Sequence, residues 1–516
     1  MKMYKKKIYY YLLFLACIIA VFIRVYQFGA VPGGMNQDGA MAAVDAKALA
    51  DYGTDRLGMR YPVHLTAWGF GQMSALLSYL MVPFIKLFGL SVFSARLPML
   101  LVSLASLAVL YYFTADYAGK NTALVVLCFA AINPWHIIQS RWALDCNLFP
   151  HFLLAGICFL SRGISRKPGW LYLSMVFFAL SMYCYGISVY TVPVILFVSG
   201  IMLLRRKKVP FLQILICAFL YLLIAWPFLA CMVINTFGID TIETPFFTIP
   251  YFPYSMRSSD ILFFSKEPIR QLQQNAEALL RILFQFYRGP AWNEIRGFGT
   301  LYVFSVPFML IGMVLVFRRY RKNIAAALTV IWFLVSLVAG LITANVNINR
   351  INIIFYPLIL FTCIGIYATI HYFAGKKLGR ILKLLIPIAY ITAFCIFAGT
   401  YFTTYADQAA DDFMLDFGNA VTSIKDTDAE KIYISADAQY KGYSHVSEIL
   451  TLFYMETDAK YYQSPEFSQR FTFHIPFDPD PAENAVYVAA ADDLLYFPED
   501  YFQIKSYGKF YVIQPK

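Results

Sequence analysis

Apolar runs long enough to cross a bilayer recur along most of this chain. They lie near 8–27, 93–114, 121–139, 146–161, 170–186, 187–204, 211–233, 300–317, 323–343, 351–374 and 382–400. A span needs roughly 20 apolar residues, and a lipid-exposed segment must satisfy its own backbone, which for such runs means a helix. The runs therefore dictate a polytopic α-helical membrane protein. Composition agrees, since 59% of the residues are hydrophobic and only 14% are charged, too apolar for a soluble core to absorb.

The formal charge of +11 raises the question of nucleic acid. The basic residues, however, fall in short clusters beside and between the apolar runs: KMYKKK, SRGISRK, RRKK, RRYRK and KKLGR. That distribution is a topology signal and excludes a nucleic-acid partner. Nine cysteines, at 17, 128, 146, 158, 184, 217, 231, 363 and 395, all lie in or beside apolar runs. They form neither a disulfide framework nor a zinc spacing. The first run has a basic flank but no convincing cleavage site after it, so it is read as a retained span with a cytoplasmic N-terminus.

A twelfth candidate, 72–90, decides the topology. If it crossed, SRGISRK, RRKK, RRYRK and KKLGR would all lie outside, against the positive-inside bias. Its apolar stretch is about 13 residues before Lys86 and contains Pro83, a length typical of interfacial helices. Reading it as juxtamembrane leaves about eleven spans, with the C-terminus outside. Asp38 and the segment SRWALDCN (140–147) then share the outer face.

The expected organisation is a transmembrane catalytic domain over 1–400 followed by a small extracytoplasmic α/β domain over 401–516. A first outer loop (28–92) and a large outer loop (234–299) interrupt the first part. In the tail, KIYISA and AVYVAA read as strands, HVSEILTLFYMET as an amphipathic helix and FQIKSYGKFYVIQ as a closing hairpin. The aromatics of FFTIPYFPY (246–254) suit an interfacial belt.

Asp38 heads GAMAAVDAKALADYG and Asp145 directly precedes the span that starts at Cys146, so either acid is a candidate helix N-cap. A carboxylate in that place is also favoured in its ionised form by the dipole and the amide donors, which suits a base or a ligand. Arg60, His64, Arg96, Arg141 and Arg350 lie near the same outer surface. An arginine there needs a carboxylate or an anionic substrate as partner, and four of them together favour a phosphate.

The order of Asp38, RYPVH, KLFGLSVFSARLPMLL, NPWHIIQSRWALDCNLF and NINRINIIFYPL resembles the GT-C membrane glycosyltransferases. The likeness is to the protein-mannosyltransferase and aminoarabinose-transferase group of glycosyltransferase family 39. The chain departs from that pattern in having Gly39 where the family usually has Glu, and in lacking a lysine in RYPVHLTAWG. The resemblance implies transfer of a sugar from a polyprenyl-phosphate donor to an acceptor hydroxyl on a protein, a lipid or a cell-wall glycopolymer, at the outer face of the cell membrane. Asp38 would be the base and Asp145 an orienting acid. Arg96, Arg141 and Arg350 would meet the donor phosphate, with Arg60 and His64 secondary. Inversion follows from single displacement, and a divalent metal, if used, would take Asp38 and Asp145 as ligands. A lipid-linked-sugar flippase or transporter and a polysaccharide polymerase are the alternatives.

Overall fold

The computed structural model describes residues 2–516 apart from 70, 254–261, 263–266, 286–291, 294, 296 and 437–443, with side chains from residue 6 onward. Part of the large outer loop, including half of FQFYRGPAWNEIRGFG, therefore lies outside the described residues. The N-terminal part runs through α1 (Lys2–Val25), α2 (Gln37–Tyr52), strands β1 (His64–Thr66) and β2 (Gln72–Ser74), α3 (Leu76–Phe88), α4 (Val92–Ala118), α5 (Lys120–Ala131), α6 (Pro134–Gln139), α7 (Asp145–Ser165), α8 (Gly169–Ser181), α9 (Ser188–Arg205) and α10 (Phe211–Phe237). After β3 (Ile242–Glu243) and β4 (Thr248–Ile249) come α11 (Pro268–Leu283), α12 (Val306–Arg319), α13 (Ile324–Ile342), α14 (Phe355–Tyr372) and α15 (Lys377–Tyr401).

Among the described residues, eight helices are long and apolar enough to cross a membrane: α1, α4, α7, α9, α10, α13, α14 with its preceding turn, and α15. The other three expected spans are shorter helices, α5 with 12 residues, α8 with 13 and α12 with 14. The run at 121–139, expected as one span, is broken. Helix α5 stops at Ala131 and α6 restarts at Pro134 behind Asn133, whose side chain caps the His136 amide. Proline lacks the N–H that a continuous helix would need and is suited to a first turn instead. The 72–90 run becomes α3, 13 residues with Pro83 inside, in the same length class as α5 and α8.

Local sequence explains several helix ends. Ser91 and Ser94 form a reciprocal capping box at the start of α4, and Asn323 caps α13. Gly53 closes α2 in the left-handed conformation, its N–H on Leu49 O. Where α12 crosses α14 the backbones touch. A Cβ on Gly312 would lie 1.7 Å from Phe361 O, and one on Gly365 1.8 Å from Phe308 O. Only glycine permits that approach, the small-residue packing on which membrane helices rely.

The tail begins with α16 (Thr404–Asp412) and α17 (Leu415–Ser423), then alternates β5 (Lys431–Ile434), α18 (Ser444–Tyr454), two short turns of helix at Ala459–Tyr462 and Pro465–Arg470, β6 (Phe471–Thr472), β7 (Ala485–Ala490), β8 (Phe502–Tyr507) and β9 (Phe510–Pro515). The sheet order is β6-β5-β7-β9-β8. Strand β5 is parallel to β6 and β7, whereas β9 is antiparallel to β7 and β8. The two expected strands, the helix and the hairpin all appear, and β7, buried along its whole length, is a central strand as its unbroken apolar run implies. On one side of the sheet Tyr487, Phe497, Phe502 and Ile513 make a small core of their own. On the other, Phe417, Val446 and Leu450 join the large apolar core that continues into the helical part.

The tail grips the first outer loop. Tyr52 Oη donates to Asp458 at 2.6 Å, Gln463 Nε2 donates to Arg56 O at 3.0 Å, and Lys460 sits 4.3 Å from the Tyr52 ring centre. A Cβ on Gly34, where φ is +78°, would meet Phe413 O at 2.3 Å and Leu415 N at 2.8 Å. The two segments meet backbone to backbone there.

Candidate active site

Loops and helix ends from across the chain enclose a cavity of about 260 Å³. Its wall includes Asn36, Asp38, Trp68, Gln72, Trp142, Asp145, Tyr185, Asn347, Asn349, Arg350, Asp412 and Phe413. Asn36 is the N-cap of α2, which places Asp38 in the first turn rather than at the cap. Asp38 is half-buried and accepts a 2.6 Å hydrogen bond from the Trp68 indole Nε1. The β1–β2 hairpin delivers Trp68, because its turn lies between the paired residues Thr66 and Gln72.

Asp145 is the first residue of α7, behind Leu144 as N-cap, and accepts from the Cys146 amide at 2.6 Å. Neither acid is therefore an N-cap residue, yet each stands in the first turn of a helix whose dipole favours negative charge. Arg350 reaches the cavity from the connection ahead of α14. Its Nη1 donates to Ala344 O at 2.5 Å and its amide to Asn347 Oδ1 at 3.0 Å. Asp412 comes from the tail, and burial, reinforced by the neighbouring Asp411, raises its pKa despite Lys509 nearby. Phe413 beside it is held between Trp142, ring centres 5.5 Å apart, and the Arg96 guanidinium, also 5.5 Å away.

Of the residues expected at the site, Asp38, Asp145 and Arg350 share the cavity; four others do not reach it. Arg96 is fully buried and donates to Pro32 O at 2.7 Å and Gly34 O at 2.6 Å. Arg141, equally buried, donates to the carbonyls of Ile23, Arg24, Tyr26, Gln27 and Val31. Both guanidiniums are turned onto carbonyls at and after the end of α1, with Arg96 Nε left without a partner, so neither reaches the cavity wall where the expectation of a phosphate contact put it. A buried backbone carbonyl needs a donor, and a guanidinium with five N–H groups can serve several at once. His64 is packed edge-on against Phe228 and Phe252, and burial lowers its pKa to about 4. It is neutral at pH 7 and cannot act as a cationic phosphate ligand. Arg60 is exposed beside the ring of Tyr61, off the cavity wall.

Sequence reasoning missed Trp68, Asp412 and Phe413, whose place depends on contacts between distant segments. The amides Asn347 and Asn349 were legible as polar residues in the NVNINR connection. It also missed Arg24, which is buried inside the helical part on the carbonyls of Ala20, Ala130 and Ala131 and on His136 Nδ1. From there a polar chain runs through Ser106, Tyr356 and His151 to Gln139. Every member has a partner, with Arg24 Nε alone of these side-chain nitrogens and oxygens left unpaired, close to the full pairing that a polar network inside a membrane bundle requires.

Among the described residues no three His, Cys, Asp or Glu side chains converge as a metal centre. Asp38 and Asp145, with the buried Asn36 Oδ1 that has no hydrogen-bond partner, make an oxygen-rich set of the kind hard divalent cations prefer.

Residues 73–231 match the family model described as dolichyl-phosphate-mannose-protein mannosyltransferase. Among solved structures, ArnT from Cupriavidus metallidurans in the apo state aligns at a TM-score of 0.57 with 12% identity, over 99% of this chain and 98% of that one. The same protein bound to undecaprenyl phosphate aligns at 0.59 with 11% identity, over 97% of each chain. The Archaeoglobus fulgidus oligosaccharyltransferase in complex with Zn and sulfate aligns at 0.55 with 12% identity, over 90% of this chain and 62% of that one. No curated protein sequence matches the chain. At these identities the likeness establishes the fold: this is a multi-pass membrane protein of the GT-C type with a small mixed sheet at its C-terminal end.

Proposed function

We propose that this chain, with the GT-C fold from end to end and the mannosyltransferase family match over 73–231, is a membrane glycosyltransferase. It transfers a sugar from a polyprenyl-phosphate donor to an acceptor hydroxyl at the outer face of the cell membrane. The observation that carries the reading is the meeting of Asp38, Asp145 and Arg350 on one cavity at the helix ends. A structural relative that holds undecaprenyl phosphate supports the class of donor.

The chemistry follows from the groups present. The acceptor oxygen attacks the anomeric carbon while the bond from that carbon to the phosphate oxygen breaks. Asp38 takes the hydroxyl proton, and the departing polyprenyl phosphate gains a negative charge that Arg350 offsets. Phosphate is a good leaving group, so no general acid is needed. The product has inverted anomeric configuration because no covalent enzyme intermediate intervenes. Trp68 holds the base by its N–H, and Asp145 orients the acceptor. Asp412 and Phe413 give the tail a share in the wall, and with it a part in choosing what enters. A divalent ion bound at Asp38, Asp145 and Asn36 would supply further positive charge beside the phosphate.

A flippase or transporter would place its working ionisable groups near mid-membrane, whereas here Asp38, Asp145 and Arg350 meet on one cavity at the helix ends. Protein reconstituted in nanodiscs with a labelled polyprenyl-phosphate sugar tests the reading. Release of polyprenyl phosphate, with the label on acceptor or water, is the expected result. Movement of the intact labelled lipid between leaflets, with no cleavage, would replace enzyme by transporter.

A further inference from the structure

A second cavity, of about 410 Å³, opens among α7, α8, α9 and α10. Its lining includes Leu160 and Leu171, Gly200 and Leu204 of α9, and Leu222 of α10. Leu160 lies 15 residues along α7 from Asp145, which at 1.5 Å per residue places this groove about 22 Å from the sugar-transfer cavity, toward the other end of the bundle. A Cβ built on Gly200 meets nothing within 4 Å, so the groove is open beside that residue. Water does not fill an apolar recess, and within a bilayer the molecules at hand to fill it are lipid chains.

The mouth says which lipid. The groove lining continues to Leu203 and Leu204 and resumes at Val209, and the four residues between are Arg205, Arg206, Lys207 and Lys208. Arg205, Lys207 and Lys208 are exposed, and Arg206 donates to Tyr320 O at 2.9 Å across to the next basic turn. The chain thus enters and leaves a four-cation turn on residues that line the apolar groove, so positive charge stands at the rim of a hydrocarbon slot.

We propose that this groove is a specific site for an anionic phospholipid, one acyl chain lying between α9 and α8/α10 and the phosphate on the Arg205–Lys208 turn. Basic residues beside a membrane attract anionic headgroups, but a flat basic rim alone gives no fixed occupant. The recess adds a seat for the chain, and the two together select a lipid with both parts. The site lies at the end of the bundle away from Asp38 and is independent of the sugar-transfer reading.

The test is native mass spectrometry of the full-length protein exchanged from detergent into equimolar phosphatidylglycerol and phosphatidylcholine. Wild type should retain phosphatidylglycerol over phosphatidylcholine by about fivefold or more, the scale of one basic residue's attraction to an anionic surface. The triple variant R205Q/K207Q/K208Q should lose the preference while still retaining lipid. Gly200→Leu, which fills the slot into open space, should lower retention of both lipids. Equal retention of the two lipids by wild type, or an unchanged preference in the charge variant, would overturn the proposal. So would an undiminished complex in Gly200→Leu.

Discussion

The Trp68 indole nitrogen lies 2.6 Å from Asp38 Oδ1, joining the tip of a short hairpin to the first turn of α2. A tryptophan N–H can only donate, so this bond is made to the carboxylate and holds it in one orientation at the cavity wall.

Two substitutions separate the halves of that arrangement. Asp38→Asn keeps the shape but cannot take a proton. It should cut transfer by about 10² or more with donor binding near normal. Trp68→Phe leaves the acid and removes its tether. Losing a hydrogen bond to a charged group is worth about 1.5–3 kcal/mol, so kcat should fall by about ten- to a hundredfold. A direct polyprenyl-phosphate sugar assay reads both, and near wild-type turnover by Asp38→Asn removes the proposed base.

Arg350 and Arg141 should answer differently to the same change. Arg350→Lys should raise the donor KM about tenfold, as expected when an ammonium replaces a bidentate partner for phosphate. Arg141→Lys leaves several of five carbonyls without a donor, at about 1–3 kcal/mol each. Its effect should appear as a lower Tm, with donor KM little changed in the folded fraction. Equal KM effects with equal Tm would return Arg141 to the site.

The contrast marks what the sequence could and could not reveal. Apolar runs and basic clusters are local signals, which is why the helical plan and the strands of the tail were readable. Placing Asp38 and Asp145 on one face needed only the positive-inside argument about Pro83 and the 72–90 run. Arg96 and Arg141 were misassigned because nothing in their own neighbourhoods shows that residues 23–34 turn their carbonyls toward them. Trp68 and Asp412 stand 344 positions apart, and no periodicity links such residues before the chain folds.

Gly34 tests the junction with the tail. Alanine there would place its Cβ 2.3 Å from Phe413 O and 2.8 Å from Leu415 N at φ +78°. The backbone conformation alone costs about 1–3 kcal/mol. Gly34→Ala should lower the Tm and expose the 413–415 region to protease. A wild-type melting curve with unchanged cleavage would show that the junction yields freely.

Stability should fall as pH rises through neutrality, and Asp55 gives the reason. Burial, with the nearby Asp45 charge, pushes its pKa up to about 7, above its value in the unfolded chain. A raised folded-state pKa gives a contribution that is complete below the unfolded value and lost as pH climbs through the folded one. Asp55→Asn retains the Oδ1 that accepts from Leu57 and Met59 at 3.0 and 2.8 Å. Its Tm should therefore decline less than that of wild type between about pH 5 and pH 8. Parallel slopes in the two proteins would refute this.

Cysteines placed at exposed positions test the orientation. With the membrane sealed, a membrane-impermeant thiol reagent applied outside should label Arg60→Cys and Lys505→Cys but not Asn121→Cys or Lys207→Cys, in a background lacking the exposed Cys17 and Cys395. The reverse pattern would invert the protein and move its cavity to the cytoplasmic side.

The contribution of Asp412 and Phe413 to the cavity wall has a consequence for biogenesis. Synthesis delivers the chain from its N-terminus, so Asp38, Trp68 and Asp145 emerge long before the residues that close the cavity around them. A nascent chain holding every span but not yet the segment after α15 would carry the proposed base beside an unfinished chamber. Under the proposed transferase reading, turnover would then begin only once the final stretch has docked, making arrival of the tail the step that switches the activity on.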